Sequence, residues 1–415
     1  MAAVPDRIWV PAAAALLLAL AFVGALLVRT GGDPSILVHA GAPCTTQRSM
    51  PPLPSCDATV DRTSPMLAIG SDGARGSLTV QPADQAFDGQ FFYRLGVSPW
   101  SKAGRVAGVQ NDLPALRNAR WGYGALAFVG SAGDPDLVPW SLIGVNLAAA
   151  AAVGAIGGGL ARSGGRHAAW GLVLFLWPGF AYSLSLDTSE LVASAFLLGG
   201  LLALRARRWI VAALALSAAV LTRDTTTVVP FGVLLAGSWA ARPSGQDRPA
   251  GARTAAAGAA ALATFAGWQL VQRARFGQLP LTSSGDNNLS GPLAGLAHEL
   301  GRALPPSSGE DAFRLACTTG LLGLLAVSAW VLLRARPLRI DAETVSWAGA
   351  TAVVVLLNAY LWSGATAFMR ASTEAGLLSL LILLRGRDRW ALRLCSAGVT
   401  GLWLLTVAAQ LSKVG

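Results

Sequence analysis

Residues 190–224 read ELVASAFLLGGLLALRARRWIVAALALSAAVLTRD. Two apolar runs, 191–204 and 210–222, flank a turn that holds Arg205, Arg207 and Arg208, and each run carries charge at its far end: Glu190 before the first, Arg223 and Asp224 after the second. A pair of apolar helices joined by an arginine-rich turn is the signature of membrane spans whose short loop stays in the cytoplasm. The whole chain has the same character. It is 415 residues long, 53% hydrophobic and 13% charged, with a mean hydropathy of +0.51, whereas a soluble domain carries about 25% charged residues. Disorder, a collagen-like structure and a disulfide-dense secreted scaffold are excluded on these numbers. The net charge of +10 comes from arginine, since only two of the 32 basic residues are lysine. Their place in short loops gives them a topological role rather than one toward nucleic acid.

Working outward from that hairpin, further apolar runs fall at 8–28, 137–160, 168–186, 226–241, 254–271, 315–333, 345–362, 375–384 and 391–411, about eleven predicted spans in all. The run at 8–28 is longer than a signal-peptide core and is expected to be an uncleaved anchor. If the spans alternate, Arg162/Arg166, Arg205/Arg207/Arg208, Arg242/Arg248/Arg253, Arg334/Arg336/Arg339 and Arg385/Arg387/Arg389 all fall on one side. The positive-inside rule makes that side the cytoplasm and puts the N-terminus there too. The predicted fold is therefore an all-α polytopic protein of the plasma membrane, one domain over residues 1–415, with long outward segments at 29–136 and 272–314. The first is too long for a connector. Its aromatic stretches at 87–100 and 120–129 are expected as short helices lying at the membrane surface, because a span at 121–129 would put the Arg162 loop outside.

Charge also sits where apolar spans should exclude it. Glu190 precedes Arg205 by 15 residues, Arg223 follows Arg208 by 15 and Arg370 precedes Arg385 by 15. At the helical rise each charge lies about 22 Å above the inner surface, within a hydrocarbon core about 30 Å thick. A charge recessed there costs at least about 2.5 kcal/mol unless it faces protein or water, so these three residues are candidate functional groups. Asp187, Asp224 and Glu374 lie beside them. In the first outer segment, helical periodicity puts Phe87, Phe91, Phe92 and Leu95 on one face with Asp88 in its middle. The alternative is that Gly89 breaks the helix and Asp88 caps it.

Phe87-Asp88-Gly89-Gln90-Phe91-Phe92-Tyr93-Arg94-Leu95 resembles the YDGQFYY signature of bacterial polytopic proteins that look like GT-C glycosyltransferases. Arg117-Asn118-Ala119-Arg120-Trp121-Gly122-Tyr123-Gly124 is similar to their RxxRxxYP stretch, with Gly124 in place of the proline, and Leu221-Thr222-Arg223-Asp224 is similar to their LTRE segment. The resemblance implies a GT-C-like fold and transfer of a sugar from a polyprenyl-phosphate donor to an envelope glycan, glycolipid or protein outside the cell membrane. It implies Asp88 as the catalytic base. Beside it, Arg223 and Arg370, followed by Arg94, Arg117 and Arg120, are the candidates for the donor phosphate. Gln90, Tyr93, Asp187, Glu190, Asp224 and Glu374 are the candidates for substrate contact, Asp187 and Glu190 serving either sugar hydroxyls or the orientation of the arginines. A base opposite the leaving group would give inversion.

No cofactor is called for, and a divalent cation is not indicated. His39, His167 and His298 are scattered and form no metal site. Cys44 and Cys56, in one polar loop, are expected as a disulfide on the oxidising side, with free thiols as the alternative. Cys317 and Cys395 read as buried thiols. Asp134-Pro135-Asp136 reads as a turn and Gly154, Gly157, Gly158 and Gly159 as helix-packing residues. A transporter or flippase of a lipid-linked or anionic precursor would use recessed charges equally well, and a silent scaffold for envelope assembly is a third reading.

Overall fold

The computed structural model describes residues 6–41, 78–81, 86–243, 247–283, 288–335 and 340–413. Cys44, Cys56, Arg336 and Arg339 lie outside them. Among the described residues the chain is almost entirely helical, with only two-residue strands. The helices are α1 (Trp9–Arg29), α2 (Gly89–Val97), α3 (Pro114–Ala119), α4 (Trp121–Ser131), α5 (Val138–Ser163), α6 (Leu172–Phe175), α7 (Pro178–Ser185), α8 (Glu190–Arg205) and α9 (Trp209–Thr222). They continue as α10 (Val228–Ala240), α11 (Arg248–Phe276), α12 (Ala294–Ala303), α13 (Gly309–Arg334), α14 (Ala342–Leu356), α15 (Ala359–Trp362), α16 (Ala365–Ala371), α17 (Thr373–Arg385) and α18 (Arg389–Lys413).

Five of these, α1, α5, α11, α13 and α18, are long and apolar enough to cross a membrane. Two bent pairs raise the number to seven if each is one span: Ala168–Phe175 with α7, bent by 59°, and α16 with α17, bent by 58°. All eleven expected runs are helical, but several are shorter than a bilayer requires. Helices α8, α9 and α10 have 16, 14 and 13 residues, or about 20–24 Å at the helical rise. They stop short because charged residues end them. The backbone of Arg223, for instance, leaves α9 in an extended conformation that carries its side chain inward.

The core forms around α5. Its glycine face packs directly against neighbouring backbone: a Cβ on Gly154 would come within 2.4 Å of the Pro11 carbonyl oxygen, and one on Gly157 within 2.5 Å of that of Gly171. Small residues at such positions let helices approach without a hydrophobic driving force between them. Helices α7 and α17, the inner halves of the bent pairs, are buried along nearly their whole length.

Five arginine-bearing loops meet at one end of the molecule. Arg205 forks onto Glu343 at 2.6 and 2.7 Å and donates to the Leu160 carbonyl, Arg166 donates to the carbonyls of Leu384 and Gly386, Arg385 pairs with Asp341, and Arg207 pairs with Asp247 at 2.7 Å.

The first outer segment differs from its expectation in one respect. Helices α2, α3 and α4 are present and α4, at 11 residues, is no span. Helix α2, however, does not lie on the surface: Gly89 and the residues from Phe91 to Gly96 are buried, with α4 and α5 packed against it. Asp134 turns the chain by accepting from the Asp136 amide, and Cys317 and Cys395 are buried free thiols.

Candidate functional site

Each charged residue singled out in the sequence stands at a helix end, where backbone groups lack helical partners and side chains can converge. Asp88 is at the N-terminal boundary of α2. Arg117 and Arg120 sit at the α3/α4 junction, Asp187 and Glu190 at the α7/α8 turn, Arg223 and Asp224 at the α9/α10 turn, and Arg370 and Glu374 across the α16/α17 bend. Eight of these nine, all but Asp187, form one ionic network with Asp88 at its pocket edge.

Asp88 does not cap α2 with its side chain, nor does it sit in the middle of the apolar face. It precedes the helix and extends to three guanidiniums. Its Oδ1 accepts from Arg117 Nη1 at 2.8 Å, its Oδ2 accepts from Arg370 Nη2 at 3.1 Å, and Arg120 Nη1 stands 3.6 Å from Oδ2. Phe91 lies under the Arg117 guanidinium at 3.9 Å and Phe87 under that of Arg370 at 4.7 Å, so the aromatic residues of the motif hold its cations. Burial alone would raise the Asp88 pKa, but Arg117, Arg370 and Arg120 outweigh it and hold the carboxyl well below the usual range. Asp88 is ionised throughout the neutral range.

Behind Asp88, Arg370 Nε donates to Glu190 Oε1 at 2.7 Å, and Arg223 donates to the same oxygen. Glu190 is 0% exposed and also accepts from Ser183 Oγ at 3.1 Å. Arg223 reaches the Arg370 carbonyl at 2.8 Å, Thr225 Oγ1 at 2.7 Å and Glu374 at 3.5 Å. On the other side Arg120 Nε donates to Asp224 Oδ1 at 3.2 Å, an attraction that raises the Arg120 pKa against burial. Arg117 forks onto Asp112 at 2.9 Å through both Nε and Nη2. A small cleft, with room for about one water molecule while Asp88 keeps its arginines, opens on this edge and is lined by Asp88, Phe91, Phe92, Leu116, Arg117 and Arg120.

Four expected site residues fall elsewhere. Arg94 is 1% exposed and bonds the Ala103 carbonyl and Asn118, because helical spacing from Asp88 carries it to the far side of α2. Tyr93 is buried in the apolar core rather than lining the pocket. Gln90 accepts from the Gly41 amide at 3.4 Å and so ties down the first outer segment. Asp187 is 0% exposed with a left-handed backbone, φ 45°, and its carboxyl faces the buried Tyr123 rather than the arginines; it marks the tight turn between α7 and α8.

Sequence reading missed Asp112, although an acid directly ahead of a Leu-Pro helix start is a recognisable signal. It also missed three tryptophans. Trp121, next to Arg120, lies 4.9 Å from Trp100 and 5.7 Å from Trp268, and Trp268 Nε1 donates to the Ala119 carbonyl at 2.9 Å. That bond fixes the C-terminal part of α11 to the α3/α4 junction and so positions Arg117 and Arg120.

Gly89 has a packing reason. A Cβ there would lie 2.6 Å from the carbonyl oxygens of both Leu186 and Val38, so the glycine lets the start of α2 press against the α7/α8 turn and brings Asp88 to the network. Gly89→Ala is expected to lose about 1–3 kcal/mol of stability, the usual cost of overpacking a site that cannot shift. Thermal unfolding in detergent checks this; an unchanged transition would mean the approach can relax.

No protein-family model, curated protein or solved structure matches the chain. What the site can do is therefore a question of its own chemistry. It offers a carboxylate at the edge of a pocket, several guanidiniums around it, and apolar helices on every side.

Proposed function

We propose that the chain is an integral-membrane glycosyltransferase of GT-C-like architecture, with about eleven spans and a cytoplasmic N-terminus. It moves a sugar from a polyprenyl-phosphate donor to an envelope glycan, lipid or protein outside the plasma membrane. The observation that carries this reading is Asp88, the acid of the quoted motif, held by Arg117, Arg120 and Arg370 at the edge of a pocket. Nucleotide sugars are confined to the cytoplasm, so a donor used outside must arrive on a lipid phosphate whose headgroup lies at the membrane surface. In the reaction an acceptor hydroxyl gives its proton to the Asp88 carboxylate as its oxygen bonds the anomeric carbon. The bond from that carbon to the phosphate oxygen breaks, and polyprenyl phosphate leaves with the electron pair, its charge met by the arginines. Attack opposite the leaving group inverts the anomeric centre.

A specific observation favours the transporter reading as well: the two bent helix pairs, one in each half of the chain, flank the network, and broken helices often line transporter sites. One experiment separates the two. Envelope glycans and polyprenyl-phosphate sugars are measured by mass spectrometry in cells with the wild-type chain, without it, and with Asp88→Asn at equal expression. Transfer predicts loss of one glycan linkage and accumulation of its lipid-phosphate sugar in both altered strains. If Asp88→Asn restores the envelope, transport or scaffolding takes the place of transfer. Orientation is read with an impermeant thiol reagent on chains whose native cysteines are serine: Lys102→Cys labels from outside and Arg207→Cys does not, and the reverse pattern would invert the topology.

A further inference from the structure

The arginines of the pocket have no charge to spare. Across the network four guanidiniums, Arg117, Arg120, Arg223 and Arg370, meet five carboxylates, Asp88, Asp112, Glu190, Asp224 and Glu374. An incoming anion can therefore be held only where a carboxylate gives way. Glu190 and Glu374 cannot, with side chains 0% and 6% exposed, and Asp112 and Asp224, though as exposed as Asp88, do not line the pocket, Asp112 being held in a fork by Arg117. Asp88 can: it is 20% exposed, lines the pocket together with Arg117 and Arg120, and rests on three separate arginines rather than in a two-toothed fork with any one. A phosphodiester presents two charged oxygens to a guanidinium as a carboxylate does, and a phosphate monoester presents three.

We infer that Asp88 holds the place of the ligand's phosphate: a phosphate-bearing headgroup entering the pocket takes Arg117 and Arg120 from Asp88 and sets the carboxylate free. Use of the freed carboxylate as a base rests on the transferase reading, whereas the exchange itself does not. With Arg117 and Arg120 engaged elsewhere and Arg370 retained, the carboxyl keeps the burial that favours its protonated form and loses part of the attraction that opposed it. The base is thus made only when a donor is bound.

The test is binding of geranylgeranyl phosphate to the full chain in nanodiscs, by calorimetry, for wild type, Asp88→Asn and Asp112→Asn. Removing the resident competitor is expected to tighten binding about tenfold or more, the scale of one charged hydrogen bond, while Asp112→Asn, which leaves Asp88 in place, changes it far less. Equal or weaker binding in Asp88→Asn, or an equal gain in Asp112→Asn, overturns the inference. Phosphatidic acid as a second probe tells a prenyl phosphate from any lipid phosphate: a gain confined to the prenyl probe assigns the pocket to prenyl phosphates, and a gain for both assigns it to the phosphate itself. A measurement on the wild-type chain guards against a misfolded variant: the prenyl phosphate should raise carbodiimide labelling of Asp88, read by peptide mass spectrometry, and protection instead would overturn the exchange. Tighter binding without any sugar transfer leaves the exchange standing and removes the transferase reading. Loss of transfer without tighter binding does the opposite.

Discussion

Glu190→Gln unfolds well below the parent chain, with a loss of about 3–5 kcal/mol, the cost of leaving a buried charge without its partner. The substitution keeps the shape of the side chain and removes only its charge. One oxygen of Glu190 serves both Arg223 and Arg370, so two buried guanidiniums lose their shared counter-charge at once. Arg223 retains Glu374 at 3.5 Å and Arg370 retains Asp88 at 3.1 Å, and neither contact is a fork. Thermal unfolding in detergent measures the loss. A double-mutant cycle with Arg223→Gln assigns it: the double variant should recover part of the stability, because the orphaned cation is gone. A loss no larger than that of an exposed pair, about 1 kcal/mol or less, would mean that water reaches Glu190 and that the network is a solvated cleft.

On the proposed transferase reading, Asp88→Asn is expected to lower turnover about 10²–10⁴-fold, the usual contribution of a general base, while donor affinity rises rather than falls. The split matters, since a residue that merely held the arginines in place would lose affinity along with rate. Acidity gives a second readout. The free protein holds Asp88 well below the ordinary carboxylate range, so its basic form persists as pH falls from neutral, and kcat/KM, which reports the free enzyme, should stay level through the mildly acidic range. Turnover at saturating donor reports the bound state, and an Asp88 released from its arginines takes up a proton at higher pH, so kcat should fall first on acidification. Parallel acid limbs in both profiles would show that donor binding leaves Asp88 as it was.

Much of this was legible in the residues. The apolar runs and arginine-rich turns locate every long helix because burial of that much apolar surface leaves the chain few other choices. Glu190, Arg223 and Arg370 were marked by equal spacing from their loops, and they meet in the structure, although the 58° bend between α16 and α17 takes Arg370 off the straight helical rise on which that spacing was reckoned. The motif around Asp88 singled out a member of the ionic network, but not in the place expected: helical periodicity puts it on the apolar face, whereas it stands one residue outside the helix, where its side chain reaches the arginines. Arg94 and Tyr93 show the limit of reading a motif as a list, since adjacent helical positions point about 100° apart. Partners such as Asp112 and Trp268, and the companions of Asp187, are matters of tertiary contact, which no local pattern encodes.

The members of the network are far apart along the chain. Arg370 lies 180 residues beyond Glu190 and 282 beyond Asp88. At about 5–20 residues per second, a ribosome that has just delivered Glu190 to the membrane takes roughly 10–40 s to deliver Arg370. Arg223 arrives much sooner and can meet Glu190 as the hairpin of α8 and α9 enters the bilayer. Asp88 can meet Arg117, 29 residues on, almost at once, but its link to the rest of the network through Arg370 waits for the last third of the protein. Biogenesis therefore passes through a stage at which helices α1 to α15 are made around a cluster of charge that still lacks Arg370, and the closing of that cluster by the α16/α17 segment is the event that distinguishes a finished molecule from one the cell's quality control would still recognise as incomplete.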